Sequence, residues 1–83
     1  MEVNGIEKEV LIEITKRLVM SKEEIFNFFG DRVDSNTLEN LLKNLVEKGY
    51  IASISPLGSS YVVTVKGMKE IKNEEKQFKE SVH

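Results

Sequence analysis

The chain has 83 residues, of which 40% are hydrophobic and 31% are charged, and it contains no cysteine. This composition is typical of a soluble globular protein, and the length predicts a single domain, residues 1–83, near the lower size limit of a self-sufficient core. The lack of cysteine excludes disulfides and thiolate metal sites. Because no long apolar run or signal-peptide pattern points to a membrane or to export, we expect a cytoplasmic protein.

The formal net charge of −2 argues mildly against nucleic acid as a partner, because phosphate binding needs clustered cations. The charges are unevenly distributed, however. Residues 1–42 hold five basic and nine acidic groups, whereas residues 43–83 hold seven basic and five acidic groups, a net charge of +2. The positive half contains most of the candidate contact surface described below.

A first helix is predicted from about Gly5 to Val19. Its apolar residues recur every three or four positions, which is the spacing of an amphipathic helix: Ile6, Val10, Leu11, Ile14 and Leu18. Val3 and Ile12 lie off the centre of this stripe, where they could broaden the buried face or form a partner surface. A short extended segment is predicted at residues 18–20.

The motif Ser21-Lys22-Glu23-Glu24 is a capping box, which predicts that a second helix begins at Lys22. The Ser21 hydroxyl would accept the backbone N–H of Glu24, whose carboxylate would accept that of Ser21. Gly30 ends this helix after about two turns. Its apolar side is formed by Ile25, Phe28 and Phe29, and Phe26 could join them.

A third helix is predicted after a tight connection, with Asp34 or Ser35 as its N-cap. At about 100° per residue, one arc of this helix is apolar: Leu38, Leu41, Leu42, Leu45 and Val46. The opposite side is polar and rich in asparagine: Asn36, Thr37, Asn40, Lys43, Asn44 and Glu47. Lys48 lies in the last turn, and Gly49 ends the helix in a left-handed conformation.

The hydrophobic pattern then changes period. Residues 50–55 and 61–65 alternate as two short strands, and Pro56-Leu57-Gly58-Ser59 supplies the turn of a β-hairpin. A last helix is predicted from Lys66 or Gly67 to about Glu80. Met68, Ile71, Phe78 and Val82 share one of its sides, beside a lysine stripe formed by Lys66, Lys69, Lys72, Lys76 and Lys79.

This order of elements is that of a helix-turn-helix followed by a hairpin. The segment TLENLLKNLVEKGYI, residues 37–51, resembles the recognition-helix signature of winged-helix proteins, and YVVTVKG, residues 61–67, is similar to the sequence that closes the wing in the MarR and PadR groups of prokaryotic transcription regulators. An archaeal source is in keeping with this resemblance. The resemblance covers nearly the whole chain. It implies an α+β, winged helix-turn-helix fold with a three-helix core, a β-hairpin wing and a C-terminal helix.

Two departures from those regulators are evident. The wing carries Ser, Pro, Leu and Gly where DNA-binding wings often carry Arg or Lys. The 83 residues are also fewer than in typical MarR members, so the long flanking dimerisation helices of those regulators are not expected. The resemblance still implies a sequence-specific regulator that binds double-stranded DNA as a homodimer, with dimerisation through the two terminal helices, and that blocks or assists polymerase at a promoter.

The polar side of the third helix is the main candidate for DNA reading. Asn can donate to and accept from an adenine edge, Thr can meet a thymine methyl, and Lys can reach guanine or phosphate. These types are supplied by Asn36, Thr37, Asn40, Lys43 and Asn44. Three asparagines on an exposed helix face lower the stability of the helix by about 1–2 kcal/mol relative to Ala. This cost favours a functional role for the face over mere exposure to solvent. Glu39 and Glu47 would either face phosphates unfavourably or accept from cytosine.

Further contacts to phosphate or to the minor groove are expected from basic residues and from the wing: Arg32, Lys22, Lys66, Ser59 and Ser60. The hairpin could instead only complete the core, and the lysine stripe could be a solvated face. The alternative function is a protein-interaction module of a transcription, replication or membrane-remodelling assembly, with contacts through the hairpin or the Ile12 side of the first helix.

Catalysis is not expected. The only histidine is His83, at the end of the chain, and the sequence has no nucleophile-elbow motif and no glycine-rich phosphate loop. No metal, cofactor or small-molecule ligand is predicted either, because the core is too small for a ligand cavity.

Overall fold

The computed structural model describes residues 5–54 and 59–72, and within these ranges it has a small α+β fold of four helices and three strands in the predicted order. The elements are α1 (Gly5–Arg17), β1 (Val19–Ser21), α2 (Lys22–Phe29), α3 (Ser35–Glu47), β2 (Ile51–Ile54), β3 (Ser60–Val63) and α4, which covers residues 65–72 of the described part. The α+β class predicted from the sequence is therefore confirmed.

The strands form one antiparallel sheet in the order β1-β3-β2. β2 and β3 are the predicted hairpin, in which Ala52 lies opposite Val62. β1 pairs with the other side of β3, so that Val19 also lies opposite Val62. The predicted extended segment before α2 is thus the third strand of this sheet. Of the predicted turn, only Ser59 falls within the described residues.

The ends of the first helices show what stops each of them. α1 ends at Arg17 and not at Val19, because Leu18 adopts a φ of 72°, a left-handed conformation that is uncommon outside glycine. The extended segment consequently begins one residue later than predicted. Gly30 ends α2 with a right-handed φ of −62°. Gly49 follows α3 with a φ of 85°, which confirms the predicted left-handed conformation.

Thr64 determines where α4 begins. Its hydroxyl accepts the backbone N–H of Gly67 at 3.1 Å, as an N-cap does, and donates towards the carbonyl oxygens of Gly49 at 2.6 Å and Tyr50 at 3.0 Å. α4 therefore starts at residue 65, before the predicted start, and Val65 belongs to this helix and not to β3. The rest of the predicted C-terminal helix, to about residue 80, lies outside the described ranges.

The core lies between the apolar faces of the helices and the inner side of the sheet. Its buried residues are Val10, Leu11, Ile14, Met20, Ile25, Phe29, Val33, Leu38, Leu41, Leu42, Leu45, Ile51 and Ile71. Four residues predicted on apolar stripes are substantially exposed instead: Leu18, Phe28, Val46 and Met68. Leu18 lies beyond the end of α1, Val46 lies at the edge of the α3 arc, and the Phe28 ring is partly covered by the Arg17 guanidinium, 5.4 Å from its centroid.

An ion pair with a buried carboxylate joins α1 to the end of α3. Glu7 is 5% exposed, and the Nζ of Lys48 lies 3.3 Å from its Oε2 and 3.5 Å from its Oε1. Glu7 lies one helical turn before Leu11, on the buried stripe of α1, so it occupies a position that periodicity assigns to an apolar residue. The contact fixes the C-terminal end of α3 against α1.

Gly67 allows the close approach of α4 to the turn after α3. A Cβ at this position would overlap with the carbonyl oxygen of Tyr50 and would lie 3.0 Å from the Cγ2 of Val63. We expect Gly67→Ala to lower the free energy of unfolding by about 1–3 kcal/mol, because the backbone carbonyl cannot move as a side chain can. Urea unfolding followed by circular dichroism measures this effect. The control is Gly5→Ala, where an added Cβ meets nothing within 4 Å; equal effects of the two substitutions would contradict the packing.

Candidate nucleic-acid interface

The orientation of α3 is fixed by its leucines. Leu38, Leu42 and Leu45 are at most 1% exposed, so the opposite side of the helix faces solvent. All five residues predicted to read DNA are exposed: Asn36, Thr37, Asn40, Lys43 and Asn44. The three asparagine amides and the Lys43 ammonium make no side-chain hydrogen bond or ion pair with any other described residue. Within the described part of the molecule, their polar atoms are therefore available to a ligand.

The polar side of α3 includes two rows of residues at four-residue spacing. One row is Asn36, Asn40 and Asn44, and the other is Ser35, Glu39 and Lys43. Residues of both rows line a shallow depression: Ser35, Asn36, Glu39, Asn40 and Lys43. Ser35, considered in the sequence only as a possible cap, is thus part of this surface. The four-residue spacing that it shares with Glu39 and Lys43 is the signal that identifies it.

At the N-terminus of α3, Thr37 is engaged by Asp34. Asp34 holds one of the two predicted N-cap positions, but its carboxylate makes no standard capping hydrogen bond and instead accepts the Thr37 hydroxyl at 2.6 Å. This hydrogen bond from Thr37 is the main cause that lowers the pKa of Asp34, so the carboxylate is ionised at neutral pH. With its hydroxyl occupied, Thr37 retains a methyl group for an apolar contact such as that with thymine.

Lys22 and Glu39 form an ion pair between the start of α2 and the middle of α3. The Nζ of Lys22 lies 3.1 Å from the Oε2 of Glu39, and the two side chains are 37% and 53% exposed. The hydrogen bond to Glu39 is the main cause that raises the pKa of Lys22, so its ammonium stays charged throughout the physiological range. Lys22, predicted as a phosphate clamp, therefore has a carboxylate partner on the predicted reading surface.

Arg32 is directed towards α1. Its Nη1 lies 2.9 Å from the Oε1 of Glu9, and its guanidinium carbon lies 5.4 Å from the centroid of the Phe29 ring. The residue is near the start of α3, as predicted. However, its charge is already paired with Glu9, which reduces the net positive charge that Arg32 can offer to a phosphate.

Lys66 lies at the other end of α3. Its Nζ is 5.4 Å from the centroid of the Tyr50 ring, and its side chain passes beside Gly49. The 13 residues of α3 span about 18 Å, so the structure does not bring Lys66 next to Asn36. Lys66 can serve the C-terminal end of the polar face only.

The base of the hairpin adjoins the start of α2. The carbonyl oxygen of Ser59 accepts the backbone N–H of Lys22 at 2.6 Å, and Ser60 lies opposite Ser21 in the sheet. The predicted capping box is confirmed at the same point, with both of its hydrogen bonds at 3.0 Å between Ser21 and Glu24. Lys22 is thus brought together with Ser59 and Ser60, although it precedes Ser59 by 37 positions in the sequence.

The outer side of the sheet carries no charged side chain in the described strands. Val19, Val62 and Ala52 lie in one row across the three strands, and Ile54, next to this row, is 39% exposed. Met20, on the other side, is fully buried, which identifies that side as the inner one. This uncharged sheet face is distinct from the polar face of α3.

Three comparisons bear on the identity of the chain. No protein-family model, no curated protein and no solved structure matches it.

Within the described ranges, no group of three or more His, Asp or Glu side chains is placed to hold a metal ion. None of the helices in residues 5–54 and 59–72 has the length and apolar character needed to cross a membrane.

Proposed function

We propose that this protein is a sequence-specific DNA-binding transcription regulator of the winged-helix type, in which α3 enters the major groove. The observation that carries the proposal is the exposed polar side of α3, whose asparagines and Lys43 have no partner among the described residues while the leucines on the other side anchor the helix in the core. The order of helices and the hairpin support the winged-helix layout. The pairing of β1 with the hairpin is also consistent with the winged-helix layout.

The dimensions of the polar face suit the major groove. Asn36 and Asn44 are eight residues apart, about 12 Å along the helix axis, which corresponds to three or four base-pair steps of about 3.4 Å. The groove is about 12 Å wide and admits an α-helix. Asparagine amides both donate and accept, so the row of Asn36, Asn40 and Asn44 is suited to adenine edges.

Phosphate contacts come from few cations. Lys43 is available on α3, Lys66 lies at its C-terminal end, and Lys22 and Arg32 are each already paired with a carboxylate. Four contacts in one protomer would make the affinity fall about a hundredfold between 50 and 200 mM salt. Base-edge contacts must then supply a larger share of the affinity than they do in strongly basic regulators.

Fluorescence anisotropy with a mixed-sequence duplex tests the proposal. We expect binding at low salt that weakens as KCl is raised, and we expect Lys43→Ala to reduce the slope of log affinity against log salt by about one, because one phosphate contact is lost. Lys16→Ala removes an exposed lysine of α1 and is the matched control, with an unchanged slope. No binding at tens of micromolar protein and low salt would refute the DNA-binding proposal.

The proposed regulator acts as a homodimer that reads two half-sites and occupies a promoter. α4 exposes apolar surface for such a contact: Val65 is 68% exposed and Met68 is 40% exposed. Light scattering measures the subunit number directly. Phe78 and Val82, which are predicted on the same side of this helix, lie outside the described residues.

A second candidate function is a protein-interaction module. The uncharged sheet face favours it, because a row formed by Val19, Val62 and Ala52 with the exposed Ile54 beside it offers apolar contact area without charge. The pairing of Lys22 and Arg32 with carboxylates also leaves fewer cations for phosphates. The same titration separates the two functions, since this module would not bind duplex DNA at low salt.

A further inference from the structure

Glu39 is the one acidic residue in the middle of the polar face of α3. It lies in the row between Ser35 and Lys43, beside Asn36 and Asn40. A carboxylate is acceptor-only, so it is repelled by phosphates and by the acceptor atoms of guanine and thymine. In the major groove, its best partner is the exocyclic N4 amine of cytosine, which is a donor.

We infer that Glu39 determines specificity by selecting cytosine, and that Lys22 is the partner that holds the carboxylate in the free protein and passes to a DNA phosphate in the complex. This inference rests on the proposed function. It assigns to one ion pair both a base preference and a phosphate contact. In the exchange, the Lys22 ammonium gains a phosphate as its partner, and the Glu39 carboxylate gains a hydrogen-bond donor of the base.

The geometry of the pair supports this exchange. Lys43 follows Glu39 by four residues on the same helix, the spacing of a local ion pair, yet the carboxylate contacts Lys22 across the helix-turn-helix at 3.1 Å. Lys22 also lies 6.0 Å from the centroid of the Phe26 ring and starts α2 beside the hairpin base. Its long, flexible stem is thus attached where the backbone of a bound duplex would pass.

The exposure of the pair makes the exchange easy. Both side chains are more than a third exposed, and ion pairs of this kind contribute little to folding stability. A purely structural role for the pair would therefore have a small effect in any variant. A role in recognition would appear as a change in the base that is selected, which stability alone cannot produce.

The test is selection of binding sites from a randomised duplex pool, with the wild-type protein and three variants. The wild type should prefer cytosine about tenfold at one position. Glu39→Gln should lose this preference and shift towards adenine, because a glutamine amide pairs with adenine N6 and N7. Glu13→Gln, which removes the carboxylate of an ion pair with Arg17 on α1 and not on α3, is the matched control and should select the same sites as the wild type.

Lys22→Met supplies the second readout. It should keep the cytosine preference and reduce the salt slope by about one, because only a phosphate contact is lost. If the wild type selects sites but Glu39→Gln selects the same base, the inference about Glu39 is overturned while the proposed function stands. If the wild type binds no duplex at all, the proposed function fails first. Melting temperatures near that of the wild type show that each variant is folded.

Discussion

Replacing Asn40 by alanine is expected to weaken binding to a selected operator by about 5- to 150-fold, which corresponds to about 1–3 kcal/mol. Asn40 is the middle residue of the asparagine row, it is exposed, and its amide makes no hydrogen bond within the described residues. The loss should be confined to specific binding, because an asparagine amide contributes to base readout and not to charge neutralisation. Anisotropy titrations at one salt concentration, with the operator and with a random duplex, measure both affinities.

The matched control for Asn40→Ala is Asn27→Ala. Asn27 is also an exposed helical asparagine, but it lies on α2. Both substitutions improve helix propensity by a similar amount, about half a kcal/mol, so any difference between them reports on the position and not on the helix. Equal losses of Asn40→Ala on the operator and on the random duplex would contradict the assignment of Asn40 to base reading.

The elements with a strong local signal could be predicted from the sequence. The capping box placed the start of α2 at Lys22, and the apolar arc of α3 identified Leu38, Leu41, Leu42 and Leu45 as buried, since both patterns are contained within one helix. The pairing of β1 with β3 could not be predicted in the same way. β1 has three residues, and its partner strand lies about forty residues further along the chain, so its register depends on packing and not on periodicity.

The candidate site shows the same division between local and long-range information. The exposure of the asparagine row follows from helical geometry, and it is observed. The partners of the cations do not follow from it, because Lys22 and Arg32 bind carboxylates of other helices, Glu39 and Glu9. A count of basic residues near α3 therefore overstates the positive charge available to DNA. This is the physical reason to expect a modest salt dependence and a specific role for Glu39.

Replacing Leu42 by alanine is expected to lower the free energy of unfolding by about 2–5 kcal/mol. Leu42 is 1% exposed and lies on the side of α3 opposite to the asparagines, so the substitution removes buried apolar surface and leaves a cavity. For a domain of this size, whose total stability is about 5–10 kcal/mol, such a loss is a large fraction. Urea unfolding followed by circular dichroism measures it, with Val46→Ala as the control for a residue that is 36% exposed.

Val46→Ala should lower the free energy of unfolding by less than about 1 kcal/mol, because part of the Val46 side chain is already in water. The two faces of α3 are then separable by experiment. Asn40→Ala should change DNA binding and leave unfolding nearly as in the wild type, whereas Leu42→Ala should change unfolding and reduce binding only in proportion to the unfolded fraction. Saturating operator should raise the melting temperature of the Leu42→Ala variant, since a ligand that binds the folded state stabilises it. A Leu42→Ala protein as resistant to urea as Val46→Ala would show that α3 is not anchored through this leucine, and the polar face would lose the support that orients it.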